Sequence, residues 1–350
     1  MLDGIPEPVL VALVGFVGGG LLGLAARLGR FCTLGAIEDY LYQGSDTRLR
    51  MWVLAIGFAG LMAFMLVLAG ALDPNRTVYH LAPFSPLAHI LGGLLFGYGM
   101  ALAGNCGFGA LARVGGGDLR SFVIVLVMGV SAYVMLSGPL AFLRVAFIDA
   151  TAIGTNARGY AEILSGVSGL PLAICGLLLS ALVAAVALGS RAFLAERAAM
   201  LWAAVVALAI ALGWAGTSYL ATQGFGAIAV ESHTFTAPLG ETMLYFMTSS
   251  GGGLSFGVGS VAGVWVGAFC GSLIKGHFRW EACEDPRELR RQFFGAVLMG
   301  FGAVLAMGCT IGQGISAFSV MALGAPLTFA AIFAGAALGL RQLIEGFARI

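Results

Sequence analysis

The chain has 350 residues, 59 % of them hydrophobic, and carries 18 basic and 17 acidic side chains. Charged residues make up only 10 % of it, against roughly 25 % in a soluble globular protein, so polar surface is too scarce to cover a water-soluble fold. A formal net charge of +1 gives no basic footprint for nucleic acid, and the alternating ten-residue segments of an outer-membrane barrel are absent. The composition predicts an all-α polytopic membrane protein, with membrane lipid as its solvent. Its 54 glycines, about twice the usual ~7 % share, suit close helix contact and local unwinding.

About 20 apolar residues are needed to cross a bilayer. Nine stretches fit, at approximately 8–28, 51–72, 86–104, 120–140, 168–189, 198–216, 253–273, 292–308 and 324–340. Met1 is followed by Asp3 and Glu7 rather than by a basic region, so the first stretch reads as a retained helix. Nine spans put the two termini on opposite sides. Fifteen of the eighteen basic residues then fall on one side, among them Arg27, Arg30, Arg48, Arg113, Arg120, Lys275 and Arg349. Arg76, Arg144 and Arg158 fall on the other. Basic loops stay in the cytoplasm, so the N-terminus is expected outside and the C-terminus inside. The charged stretch from Lys275 to Arg291 reads as a solvated inner loop.

Between the spans lie short Gly-rich segments, around 31–43, 105–118, 222–248 and 309–323. Three of them open on Cys-x-x-Gly, at Cys32, Cys106 and Cys309; a fourth string, Gln223-Gly-Phe-Gly-Ala-Ile, resembles them without the cysteine. Spans 1 to 4 therefore pair with spans 6 to 9. Gly35 aligns with Gly226 and Gly109 with Gly312. An offset of five spans inverts one half in the membrane, which predicts halves of approximately 1–142 and 190–350 joined by a helix near 168–189. The short segments are expected to be re-entrant helices whose N-termini favour an anion; the competing reading is amphipathic surface loops. The Gly15, Gly19, Gly23 and Gly259, Gly263, Gly267, Gly271 repeats let helices cross closely, whether inside the chain or between copies.

Six cysteines with no Cys-x-x-Cys pair and only four histidines make a metal cluster a poor fit, and no cofactor is expected. Cys175 and Cys270 read as small buried hydrophobes, and Cys283 has no evident partner. Cys32, Cys106 and Cys309 share one place in a repeated turn. A thiol is a weak donor and acceptor with a polarizable sulfur, suited to weak, replaceable contacts with a ligand that carries sulfur; filling small spaces between glycines is the alternative. Asn105, Gln313 and Gln223 offer amides near these turns. Arg30 and Arg113 either raise the positive potential at an inner mouth or anchor the inside face. Glu231, His233 and Glu241 lie on one short segment, and His233 with Glu241 is the one place where proton coupling could be built.

The strings Arg30-Phe-Cys-Thr-Leu-Gly, Gly104-Asn-Cys-Gly-Phe-Gly-Ala-Leu-Ala-Arg and Gly308-Cys-Thr-Ile-Gly-Gln-Gly-Ile-Ser-Ala resemble those of the YeeE/YedE family of bacterial inner-membrane sulfur-compound and thiosulfate transporters. The resemblance covers nearly the whole chain. It implies an hourglass of two inverted halves, thiosulfate uptake by transient hydrogen bonding to successive thiols, Cys309 and Cys106 flanking a central constriction, and Cys32 at the cytoplasmic exit. It also implies a separate TusA-like sulfur-carrier protein as a partner. The rival readings are a permease for another sulfur or selenium anion and a membrane sulfurtransferase carrying persulfide. The latter would need an activated thiolate, and no histidine stands beside any of the three cysteines.

Overall fold

The computed structural model describes residues 6–155, 157–224, 228–249, 253–282 and 285–346; Gly226, Cys283 and Arg349 lie outside them. Helix α1 (Glu7–Leu28) is followed by the short α2 (Thr33–Glu38), which runs into a π-helical turn at Asp39–Gln43, and by α3 (Thr47–Leu68). The single turn α4 (Val78–Leu81) leads to α5 (Pro86–Ala103), the short α6 (Gly107–Val114) and α7 (Leu119–Leu136). Next come α8 (Ala141–Thr151), α9 (Tyr160–Ser168), α10 (Leu172–Leu188) and α11 (Arg191–Ala195). The second half holds α12 (Arg197–Gln223), α13 (Ala237–Thr248), α14 (Phe256–Ile274) and α15 (Pro286–Leu305), then a π-helical turn at Gly312–Ala317 and α16 (Gly324–Glu345).

Local chemistry fixes many of these starts. The Ser85 hydroxyl accepts the Ala88 N–H at 3.2 Å with Pro86 at the first helical position of α5. Asp118 accepts from Arg120 and Ser121 to open α7, and Asp285 accepts from Arg287 ahead of Pro286 to open α15. Each side chain satisfies N–H groups that a first helical turn leaves without a partner.

All nine expected stretches hold a helix. Among the described residues seven helices are long and apolar enough to cross a bilayer, or eight if α9 and α10, bent by 117°, form one span. The remaining stretch corresponds to α15, whose first turns carry Arg287, Glu288, Arg290 and Arg291. Charge at its start excludes it from a purely apolar count. Helices α8 and α9 occupy a region read from sequence as loop, because each is too short and too polar to announce itself as a span.

The glycine repeats are internal. A side chain on Gly15, Gly19 or Gly23 of α1 would run into the carbonyls of Phe256, Ser260 or Val264 on α14, and one on Gly259, Gly263 or Gly267 would run into Ala12, Phe16 or Gly20 of α1. The two backbones touch along their length, as small residues allow where lipid removes the hydrophobic drive for association. The same device joins α5 to α15 through Gly92, Gly99, Gly295 and Gly302, and α5 to α16 through Gly97 and Gly335.

Helix α1 also packs on α12, α3 on α10 and α12, and α7 on α15; the short α6 and α13 both lie against α7 and α14, while α2 and the turn at Gly312–Ala317 lie against α3 and α16. Connections meet at two ends. At one, Val78 N–H donates to the Val230 carbonyl, Ile153 to Phe84 and Tyr160 to Met321. At the other, Leu119 donates to Glu281, Arg279 to Gly116 and the Lys275 ammonium to the Arg27 carbonyl.

Candidate functional site

The three cysteine turns share a backbone device. Two residues before each cysteine the chain takes a left-handed conformation: Arg30 (φ 54°), Gly104 (φ 77°) and Met307 (φ 59°). Glycine adopts this freely, whereas arginine and methionine hold it at a cost of about 1–3 kcal/mol each. The turn ends a long helix and sets the cysteine at the threshold of a new, short one: Cys32 is the N-cap of α2 and Cys106 the N-cap of α6.

Two of the thiols do the work of a capping hydroxyl. Cys106 Sγ accepts the Gly109 N–H at 3.4 Å. Cys309 Sγ accepts the Phe235 N–H at 3.3 Å and the Gly312 N–H at 3.5 Å, with the Thr234 hydroxyl 3.7 Å away. Both residues are buried, at 1 % and 0 % exposure. Cys32 is half-buried and makes no cap bond. Cys106 stands beside Thr310 and within electrostatic reach of both Cys32 and Cys309, and Cys309 within reach of Tyr79.

Thr310 hydrogen-bonds Cys106, whereas Asn105 Oδ1, Gln313 Oε1, Thr236 Oγ1 and Thr33 Oγ1, each within four residues of Cys106, Cys309, Phe235 or Cys32 in the chain, are buried without a partner. A folded chain leaves few such atoms.

A cavity of about 320 Å³ opens beside Cys32 and Asn105 and is lined by Arg27, Arg30, Arg48 and Arg113. Arg27 donates to Ser272 Oγ at 2.7 Å and Arg48 pairs with Asp39 at 3.1 Å. Arg30 and Arg113 have no ion pair among the described residues. At its rim, burial and then the Arg30 and Arg27 guanidiniums hold the Lys275 ammonium below its usual pKa. Four guanidiniums and one carboxylate, Glu38, line this cavity, so its wall carries more positive than negative charge. A second cavity, of about 380 Å³, opens at the opposite end beside Met307 and Tyr79, with His80, His89 and Arg158 in its wall. Neither Cys106 nor Cys309 lines either cavity; both are buried between them, where the Phe108 and Phe235 rings meet at 5.2 Å.

Cys32, Asn105, Arg30 and Arg113 share the wall of one cavity, and Cys106 and Cys309 are buried outside it. Gln313 joins them differently: its amide donates to the Met307 carbonyl at 3.1 Å, bracing the left-handed turn. Gln223 does not join them. It is exposed at the C-terminal end of α12, and the short helix of that connection begins at Ala237 behind Thr236. Thr236 precedes α13 with a helical backbone, whereas Cys32 precedes α2 with an extended one, and neither side chain makes a cap bond.

His233 and Glu241 are not partners either. His233 Nδ1 shares a hydrogen bond with Ser260 Oγ at 2.6 Å, and Glu241 accepts from Ser255 at 3.1 Å; no ion pair joins them among the described residues. Glu241 instead lies within electrostatic reach of Glu231. Cys175 is buried as expected, but Cys270 is exposed on α14, because the glycines of that helix hold the side facing α1. The sequence does not single out Tyr79, Thr234 or Thr310: the first two sit in strings without glycine or cysteine punctuation, Thr310 stands inside the Cys309 motif, and only the fold sets Tyr79 and Thr234 near Cys309 and Thr310 near Cys106.

A family profile described as Sulphur transport matches residues 28–338. The chain is 27 % identical over 326 residues to the thiosulfate transporter TsuA of Escherichia coli, covering 88 % of each protein. It is likewise 27 % identical over 318 residues to the thiosulfate transporter TsuA of Spirochaeta thermophila, covering 89 % of this chain and 91 % of that one.

Proposed function

The chain belongs to this sulphur-transport family, the YeeE/YedE group that its cysteine turns resemble, and we propose that it takes up thiosulfate across the bacterial inner membrane along successive thiols. It is a multi-pass membrane protein and a transporter by family, not an enzyme. The observation that carries the reading is the pair Cys106 and Cys309: two free thiols at the starts of two short helices, buried between a cavity at each end. Both named relatives are thiosulfate transporters, and the soft terminal sulfur of thiosulfate matches a thiol better than an all-oxygen anion does.

Two inverted halves joined through α10 account for the packing. Exchanging α1, α3, α5 and α7 for α12, α14, α15 and α16 turns the α1–α14 contact into α12–α3, α5–α16 into α15–α7, and α6–α14 into the contact of the Gly312–Ala317 turn with α3. Every one of those contacts is present. Nine crossings, with α15 and α10 among them, put the arginine-lined cavity inside and the Tyr79 cavity outside, which agrees with the side that holds most basic residues.

A dianion cannot leave water for an apolar span without compensation. Short-helix N–H groups, the Asn105 amide and Thr310 supply part of it, and the thiols meet sulfur with contacts weak enough to release it. Arg30 and Arg113 then draw the anion into the inner cavity. Inward movement of two negative charges is opposed by about 4.6 kcal/mol per 100 mV, taking ~2.3 per charge, so rapid removal inside sustains the flow. A separate TusA-like carrier at the arginine-lined mouth is the partner suited to that removal.

The test is uptake of labelled thiosulfate by Cys106→Ala, expected to vanish with expression and folding intact; undiminished uptake ends the thiol relay. A cargo of another sulfur or selenium anion is the second reading, since the family's description names sulphur and no particular compound. Competition decides it: excess thiosulfate that fails to block transport of such an anion removes the first assignment.

A further inference from the structure

We propose that α7 and α13 hold one phospholipid, its acyl chain in the groove between the two helices and its phosphate on Arg144. The site goes beyond the transport path and does not depend on the cargo. Helices α7 and α13 touch at Gly129 and Gly240, where a side chain on the first would strike Met243 and one on the second the Tyr133 ring. From that contact they part: Gly240 is buried, whereas Met247, two turns further on, is 80 % exposed. Above the contact lies a groove of about 330 Å³. On α7 its wall runs from Gly129 to Ser137, about 12 Å along the helix at 1.5 Å per residue. One leaflet of a ~30 Å hydrocarbon core is about 15 Å deep, so the groove has the length of a single acyl chain. Valine, leucine and methionine side chains form most of its sides, and the flexible thioethers of Met243 and Met247 adapt to an irregular occupant.

The groove ends where the chain turns from α7 into α8. There Arg144 reaches back and donates to the Leu136 carbonyl at 3.3 Å, one residue before Ser137. Its Nε is buried without a hydrogen-bond partner. No acidic side chain pairs with it among the described residues, and Asp149, the one acid of α8, is exposed. Arg144 also lies on the side that holds few basic residues, so sorting of charge by topology does not account for it. A guanidinium left unpaired at the edge of the hydrocarbon calls for an anion, and its planar fork matches phosphate oxygens. Helix α8 supports that depth: Phe142, Leu143 and Val145 are 68 %, 52 % and 45 % exposed, as in a helix resting in the membrane interface. Positive charge over an apolar slot one leaflet deep is the complement of a phospholipid. Its chain would brace α13, whose entry carries the Phe235 N–H that Cys309 accepts.

The experiment is native mass spectrometry of the full chain, delipidated in detergent and titrated with palmitoyl-oleoyl phosphatidylglycerol. Palmitoyl-oleoyl glycerol, the same two chains without phosphate, is the companion probe. Expected is one tight phosphatidylglycerol per chain, with Kd raised about tenfold by Arg144→Gln, as for loss of a hydrogen bond to a charged group. Arg144→Lys keeps the charge and should recover most of the affinity, which separates a lost phosphate contact from a lost fold. Arg76→Gln, on the same side, should change nothing. Val130 is 58 % exposed in the groove wall, so Val130→Trp fills the slot without disturbing packed residues and should weaken binding about as much. The phosphate-free probe should bind about tenfold more weakly than phosphatidylglycerol and ignore Arg144→Gln. A Kd within twofold of the parent in both Arg144→Gln and Val130→Trp overturns the site. Equal affinity for the two probes overturns the phosphate contact. A dimer that Val130→Trp dissolves, with no bound lipid, gives the groove to a second copy and overturns the proposal.

Discussion

Cys309 holds two roles that one pair of substitutions separates. Its sulfur is the acceptor for the N–H groups of Phe235 and Gly312, at 3.3 and 3.5 Å, in a place with no solvent exposure. Cys309→Ala leaves both donors buried and unpaired. An unmade buried hydrogen bond costs about 1–3 kcal/mol, and a thiol is a weak acceptor, so the low end applies and the two together come to about 2 kcal/mol. For a chain of this size that lowers the melting temperature by several degrees. Cys309→Ser restores an acceptor on a slightly shorter arm and should recover at least half of the loss. Serine is nevertheless a hard oxygen where the relay calls for soft sulfur, so uptake should stay at background in both variants. Thermal unfolding in detergent, followed by tryptophan fluorescence, reads the first effect; labelled thiosulfate uptake reads the second. Wild-type transport by Cys309→Ser would show that the sulfur matters only as a cap, and the relay would have to be abandoned.

Cys32 makes no cap bond, so Cys32→Ala should leave the melting temperature unchanged while slowing uptake; a drop of several degrees contradicts the assignment. Arg30 holds a left-handed backbone at φ 54°, so Arg30→Gly should stabilise the fold by about 1 kcal/mol through relief of strain and yet weaken transport, because a cation leaves the inner cavity; lower thermal stability would count against this. Arg113→Gln should reduce uptake and flatten its dependence on internal salt, since screening acts over roughly 8 Å at physiological ionic strength, and an unchanged salt profile would place Arg113 outside the anion's field. On α1, Gly19→Ala should cost about 1–3 kcal/mol by pushing into the Ser260 carbonyl, whereas Gly20→Ala meets nothing nearer than 3.8 Å and should be neutral; equal yields of folded protein would refute the α1–α14 seam.

The sequence alone determined the class of molecule and the position of each long helix, because a bilayer demands apolar runs of set length and sorts basic residues to one side. It also picked out Cys32, Cys106 and Cys309, since a cysteine followed by glycine after a span is a local pattern that survives without coordinates. What it could not decide was which surfaces meet. The glycine repeats read equally as a seam between copies until α14 was seen lying along α1. The fourth Gly-rich segment, 222–248, holds α13, which begins after Thr236, while residues 225–227 of its glycine string lie outside the described residues. His233 and Glu241, eight positions apart and so near in sequence, take separate hydroxyl partners, while Tyr79 and Gly312, more than two hundred residues apart, flank one space. Hydropathy and capping act along the chain and can be read from it. The closeness of two buried groups follows from how helices cross, and that is settled only when the whole bundle packs.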